Sequence, residues 1–362
     1  MMKSSSIKLL VGTYTQKEGH VDGKADGIYL MEMNQQDGSV TIVDAISGIV
    51  NPSYAVTHSN GRSIYAVSEV AGSTQLGQVY AYTIDSEDEN FKKVSALPSF
   101  GNAPCHLFLD ETSMRLYVVN YMGGITNYQV NKDGSLSSAP QSINYEGGTL
   151  GSTRQEGPHP HMIQRFGDFV YVSDLGTDQI ITYSVNHNGT LKEISRTSTS
   201  SAGGPRHFAV HPSNGKLYVT NELNLTIQSF EINRGGSEMA LSQTISLHNG
   251  LIDQNGHSGA AIKIHPSGKY LYAAMRASDR SEDNTIQQFN IEANGNLKHI
   301  SSTFTKGSVP RDFEISPDGS FLLVANQNSD NIVTFKIDQI SGNLNKNPKI
   351  SNVKTPVSIK FF

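Results

Sequence analysis

The stretch Pro205–Glu222, PRHFAVHPSNGKLYVTNE, holds a short alternating run, a Pro-Ser-Asn-Gly turn and a second, more apolar run. Alternation with a period of two marks a strand with one buried face, and Asn-Gly tolerates the positive φ of a tight hairpin. The segment therefore reads as two antiparallel strands. The same form recurs at Pro52 (PSYAVTHSNGRSIYAVSE), Pro104 (PCHLFLDETSMRLYVVNY), Pro160 (PHMIQRFGDFVYVSDL), Gly259 (GAAIKIHPSGKYLYAAMR) and Pro310 (PRDFEISPDGSFLLVANQ). A seventh copy is divided between the chain ends: Pro356 opens PVSIKFF, which has only a first strand, and Ile7–Tyr14, IKLLVGTY, has only a second. The six steps from Pro52 to Pro356 average about 51 residues.

A second marker comes late in each unit, a turn followed by a bulky residue. It stands at Asp37-Gly38-Ser39-Val40, Asp133-Gly134-Ser135-Leu136, Asn188-Gly189-Thr190-Leu191, Asn294-Gly295-Asn296-Leu297 and Ser341-Gly342-Asn343-Leu344, with looser versions at Glu89–Phe91 and Gly235–Leu241. Two markers at one period predict four antiparallel strands per unit, the form of a propeller blade. The fold expected is all-β: seven such blades, with the ring closed by pairing the N- and C-terminal strands. An open sandwich does not account for seven registers of two independent markers. Although 362 residues would allow two domains, residues 1–362 are expected to form one.

Composition agrees. Only 17% of residues are charged and 36% hydrophobic, with 33 Gly and 13 Pro, which suits short strands and turns better than a helical bundle. A net charge of −5 gives no electrostatic footprint for nucleic acid and no basic membrane patch. One cysteine, Cys105, rules out an intrachain disulfide framework and a Cys-rich zinc site. No run of 18 apolar residues is present, and Met1–Leu10 lacks a secretory pattern; a cytoplasmic setting is expected.

Within each first hairpin, residues equidistant from the turn lie level. That places Arg206 beside Glu222 around Asn214, His161 near Asp174 around Gly167, and Arg311 near Gln327 around Gly319. It also places Ala260 near Arg276 and Ser53 near Glu69. Equivalent positions of successive blades ring the central channel, so one rim is expected to carry His161, Asp174, Arg206, Glu222, Arg276, Arg311 and Gln327. The recurring Tyr65, Tyr117, Tyr171, Tyr218 and Tyr272 hold one register and read instead as packing between blades. Variation at the rim over constancy in the packing is what a site grafted on a scaffold gives, although Arg206 and Glu222 also fit a structural ion pair.

His159-Pro160-His161 places two imidazoles at a strand opening. Catalytic zinc usually takes three protein ligands, and Asp174 could be the third, yet no H-E-x-x-H helix or Cys partner accompanies the pair; no metal is expected, and a general base or substrate donor is the stronger reading. Adjacent Cys105 and His106 point to opposite faces of a strand and do not form a nucleophile pair. No G-x-S-x-G elbow, P-loop or dinucleotide fingerprint occurs.

Thr153–Ile163 (TRQEGPHPHMI), Tyr171–Ile180 (YVSDLGTDQI), Gly204–Leu223 and Val309–Ile332, together with the opening LVGTYT of Leu10–Thr15, resemble the seven-bladed propeller lactonases over essentially the whole chain. The resemblance implies hydrolysis of 6-phosphogluconolactone in the pentose phosphate route, with an active-site set on His161, Arg206, Glu222 and Arg276. On this reading Glu222 or His161 activates water and Arg206 steadies the oxyanion. Arg276, Arg311 and Arg154 would hold a phosphate or carboxylate, with His159, Asp174 and Gln327 as further substrate contacts. The expected partner is a small anionic lactone, with no cofactor, no nucleic acid and no membrane, and the chain a monomer or weak homo-oligomer. Another sugar lactone, a lactonising isomerase on a muconate-type substrate, and a non-catalytic ligand-binding propeller stay open beside it.

Overall fold

The computed structural model describes residues 6–72, 76–84, 90–250, 256–277 and 283–362. Glu89 of the loose turn marker and Met1–Ser5 of the chain start lie outside them. The described residues form seven four-stranded antiparallel sheets arranged as a seven-bladed propeller, plus a two-stranded hairpin, Lys17–Glu18 with Val21–Asp22. Blade 1 combines Pro356–Phe361 with Ser6–Thr13, Gly27–Asn34 and Val40–Ser47. Blades 2 to 7 follow in chain order, opening at Ala55, Asn102, Pro160, Pro205, His257 and Pro310. The split repeat closes the ring as expected: Val11 pairs with Ile359 and Leu9 with Phe361. No helix among the described residues is long and apolar enough to cross a membrane.

The first strands of the seven blades touch one another in series all the way round, 55–57 against 102–110 and so on to 356–361 against 55–57, so they line the channel. The fourth strands face solvent, their residues half-buried or exposed along nearly their whole length. Between blades, apolar faces interlock; Tyr272, Ile286 and Leu322, for example, share one buried cluster across blades 6 and 7.

The two sequence markers prove to be halves of one contact. The second-strand tyrosine of one blade donates its hydroxyl to the turn glycine of the next: Tyr65 to Gly134 O (3.1 Å), Tyr171 to Gly236 O (2.9 Å), Tyr218 to Gly295 O (2.8 Å) and Tyr272 to Gly342 O (2.5 Å). Gly134, Gly295 and Gly342 sit at φ of 83°, 78° and 72° and Gly236 at 121°, where other residues are strained. Tyr117 departs from the pattern and reaches only Asp110 of its own blade, at 3.5 Å.

A second repeated device aims side chains at the channel. The residue before the opening proline takes a left-handed φ at Asn51 (46°), Ala103 (50°), Gly204 (65°), Val309 (56°) and Thr355 (42°). For β-branched Val309 and Thr355 that conformation is costly. It is held by side chains that accept the backbone N–H, buried Asp178 for Gly204, buried Asn284 for Val309 and half-exposed Asp330 for Thr355. Immediately after the proline, the ladder bulges between Pro104 and His106, Pro160 and Met162, Pro205 and Phe208, and Pro310 and Asp312. Cys105, His161, Arg206 and Arg311 occupy those bulges, where the two-residue alternation is broken and side chains are re-aimed.

Replacing Tyr218 by Phe orphans the buried Gly295 carbonyl and should lower unfolding stability by about 1–2 kcal/mol. Tyr117→Phe, with its longer and purely intra-blade partner, should lose less. Urea denaturation checks both, and equal losses would contradict the inter-blade account.

Candidate active site

At the rim where the first strands open, Arg206, Arg276 and Glu222 converge with Arg154, which is carried on the irregular segment before blade 4. Glu222, at the end of the second strand of blade 5, is 2% exposed. Its Oε1 accepts from Arg154 Nη1 at 2.6 Å and lies 3.1 Å from Arg276 Nη2. Its Oε2 lies 2.9 Å from Arg206 Nε, but that N–H is not aligned on it, so the contact is ionic without a directed hydrogen bond. Arg206 is 1% exposed, and its Nη1 has no hydrogen-bond partner. Burial works against charge on Glu222, yet Arg276, Arg154 and Arg206 outweigh it and hold the carboxyl well below the ordinary carboxylate range. Burial, then neighbouring Arg276, pull Arg206 down against the support of Glu222.

A second ion pair faces it. Arg311 Nη2 lies 3.3 Å from Glu69 Oε1, which also accepts from the Tyr14 hydroxyl at 2.8 Å, and the guanidinium stands 5.4 Å above the Tyr14 ring. His20, at the tip of the Lys17–Asp22 hairpin, reaches the Tyr14 hydroxyl at 3.4 Å. Arg206, Arg311, Glu69, His161, Cys105 and His207 line one small cavity below. Burial, reinforced by Arg206, pushes His161 well below its usual pKa, so its imidazole is neutral at pH 7 and able to accept a proton. Cys105 is turned to His161, Sγ to Nδ1 4.0 Å, and burial raises its thiol, which keeps it protonated and unreactive.

The rim expectation is therefore met for His161, Arg206, Glu222, Arg276 and Arg311, with Arg154 joining from its loop. Three residues lie apart from the guanidinium cluster. Asp174 accepts the backbone N–H groups of His159 and Gly176 and braces the opening of blade 4. His159 does not share a face with His161, because the bulge intervenes. It stacks on Tyr121 at 4.3 Å and uses its ring nitrogens on Tyr121 O and Glu156 Oε1. Tyr121 in turn accepts from Arg154 Nη2 at 2.7 Å, so His159 props the partner of Arg154. Gln327 bonds Asn328 and lines a surface recess with Lys17 and His20.

Tyr14, Glu69 and Tyr121 join the site from outside the expected set. For Glu69 the sequence carries a signal, since its level pairing with Ser53 puts it at the position of Glu222. Among the described residues no group of three or more His, Cys, Asp or Glu stands in position to hold a metal.

The seven-bladed β-propeller lactonase family model matches residues 8–361, and the chain belongs to this family of lactone-hydrolysing enzymes, which are carboxylic ester hydrolases. Among its relatives are the 6-phosphogluconolactonases of Bacillus subtilis, 30% identical over 97% of both chains, and of Formosa agariphila, 30% identical over 98% of this chain and 99% of that one. A solved structure, the periplasmic gluconolactonase PpgL of Pseudomonas aeruginosa, superposes with a TM-score of 0.88 at 25% identity over 99% of each chain.

Glu222→Gln leaves buried guanidiniums without a counter-charge and should cost on the order of 3–5 kcal/mol of stability. Because the folded carboxyl titrates below its unfolded value of 4.5, its contribution is complete above that pH and fades as pH falls. Urea midpoints measured downward from pH 6 should drop more steeply below about pH 4.5 in the wild type than in the Gln variant.

Proposed function

We propose that this enzyme hydrolyses 6-phospho-D-glucono-1,5-lactone to 6-phosphogluconate. The observation that carries the reading is the charge count at the rim: Arg154, Arg206, Arg276 and Arg311 against Glu69 and Glu222. Two positive charges are left over, and Arg206 Nη1 and Arg276 Nε are buried with no hydrogen-bond partner. A dianionic phosphate ester balances that excess, and the guanidinium fork matches phosphate oxygens. The names of the two bacterial relatives agree. A phosphorylated sugar acid does not cross membranes unaided, so the cytoplasm is the natural setting.

In this proposal a water adds to the lactone carbonyl while His161 takes its proton. General-base help of this kind contributes on the order of 10²–10⁴ in rate. Arg206, dry and fixed by Glu222, steadies the oxyanion of the tetrahedral intermediate. Collapse breaks the bond to the ring oxygen, which leaves as the sugar C5 hydroxyl after taking the proton from His161; the new carboxylic acid then loses its own proton. Glu222 is assigned to positioning the guanidiniums, since three of them draw off its basicity. Arg154, Arg276 and Arg311 hold the phosphate, with no metal in the steps.

A second reading, hydrolysis of an unphosphorylated gluconolactone, is favoured by the likeness to the Pseudomonas enzyme. Parallel assays on 6-phosphogluconolactone and gluconolactone decide between them, with kcat/KM for the phosphorylated lactone expected at least tenfold higher; equal values would favour the second. His161→Ala should cut kcat at least tenfold while the native fold persists. The base form of His161 remains available through weakly acidic pH, so kcat/KM should stay flat from pH 7.5 to 6.5 and fall only below. A fall centred at 6.5 or above would remove His161 from the role.

A further inference from the structure

A cavity of about 480 Å³ lies at the other end of the channel from the arginines. The first strands of blades 2 to 6 run toward that face and wall the cavity with Val56, Leu107, Ile163, Phe208, Ala209 and Ile262, interspersed with the polar Thr57, Gln164, His207 and Lys263. A volume of this size with mixed apolar and polar walls is typical of a small-molecule site.

Lys263 Nζ and Lys360 Nζ both line the cavity and both reach the same oxygen, Glu314 Oε2, at 3.0 and 3.1 Å, and Lys360 Nζ also stands 5.3 Å from the centre of the Tyr54 ring. Glu314 is held to about 2 despite its burial, because Lys263 and Lys360 outweigh it. One carboxylate thus serves two ammonium groups, each with N–H bonds to spare. Asp312, the other acid of this strand, lines the deeper cavity beneath the arginines and accepts from Ile359 N, and its charge supports Lys360 beside that of Glu314. The Tyr54 hydroxyl and the His207 imidazole also line the cavity and make no hydrogen bond with any described residue. Burial keeps His106 and His207 neutral there, and His265 is spent on Gly319 O.

We infer that this mouth is a second ligand site, taking a small carboxylic acid with an apolar ring: the carboxylate bridges Lys263 and Lys360 beside Tyr54, and the ring packs on the apolar first-strand residues of the wall. Two ammonium groups with N–H bonds to spare select an acid over a neutral ring compound. Those apolar residues select a hydrophobic body, unlike any sugar the arginine rim would hold. This inference is independent of the substrate proposed above.

Titration calorimetry of the full chain with 2-naphthoate, beside the neutral 2-naphthylmethanol, tests it. Expected is saturable one-to-one binding, with the acid at least tenfold tighter than the alcohol. Lys263→Met, which leaves Glu314 paired with Lys360, should weaken the acid at least fivefold and the alcohol less than twofold. Ala209→Trp, which fills the cavity from a half-buried position, should weaken both at least tenfold. Lactone turnover should be unaffected by either variant. No saturable binding, no preference for the acid, or binding lost in Arg311→Ala but retained in Ala209→Trp would overturn the assignment; the last result would place naphthoate at the arginine rim.

Discussion

Pairing of Pro356–Phe361 with Ser6–Thr13 is the constraint that everything else requires. Each blade buries its faces only against two neighbours, so an unclosed ring would leave blade 7 and the N-terminal strands with bare apolar faces and a free sheet edge. Closure also assembles half of the site. Arg311 comes from blade 7, Tyr14 from the end of the Ser6–Thr13 strand in blade 1 and Glu69 from blade 2, and they meet across the seam although Arg311 and Glu69 are 242 residues apart. Tyr14 N bonds Thr355 O and Thr13 N bonds Pro52 O, so the seam is fixed by backbone beside the charged groups it gathers. Folding and site formation are therefore one event at this side of the channel.

The ring could be read from sequence because its markers are tied to local physics. A glycine at positive φ and a tyrosine at one register are chemical requirements of a single contact, repeated at four of the junctions between blades. Rim membership was legible for the same reason, since a hairpin fixes which residues are level. Side-chain direction was not legible. His159 and His161 share a face only if the strand alternates, and the bulge after Pro160 breaks that alternation; a bulge leaves no mark in composition. Asp174 is level with the rim yet turns back to the His159 amide, because a left-handed or bent strand opening leaves an N–H that must be satisfied. The acids and amides Asp178, Asn284 and Asp330 answer the same demand in other blades. Arg154 sits on a segment with no repeat partner, so register carries no information about where it lands.

Burial divides the titratable groups by role. Among carboxylates, Glu222 is surrounded by guanidiniums and remains an anion that orders them. Among bases, the buried imidazoles His161, His207 and His106 are all pushed down. They succeed one another along the channel with ring centres 5.3 and 5.8 Å apart. Cationic histidines here would add to an already positive rim, and the same arginines that keep His161 neutral would attract a substrate anion. One field therefore serves two ends, drawing the anion in and leaving a proton acceptor beside it.

The channel is also partitioned. Tyr54 and His207 belong to the walls of both cavities, so they form a plug between the arginine end of the channel and the end that carries Lys263 and Lys360. Such a plug withholds bulk water from the underside of Arg206, which strengthens every charge interaction made there. Truncating it would do more than enlarge a void, because Arg206 depends on low dielectric for its grip on Glu222 and for any field it exerts on a carbonyl oxygen. The packing of Tyr54 and His207 thus sets the dielectric beneath Arg206.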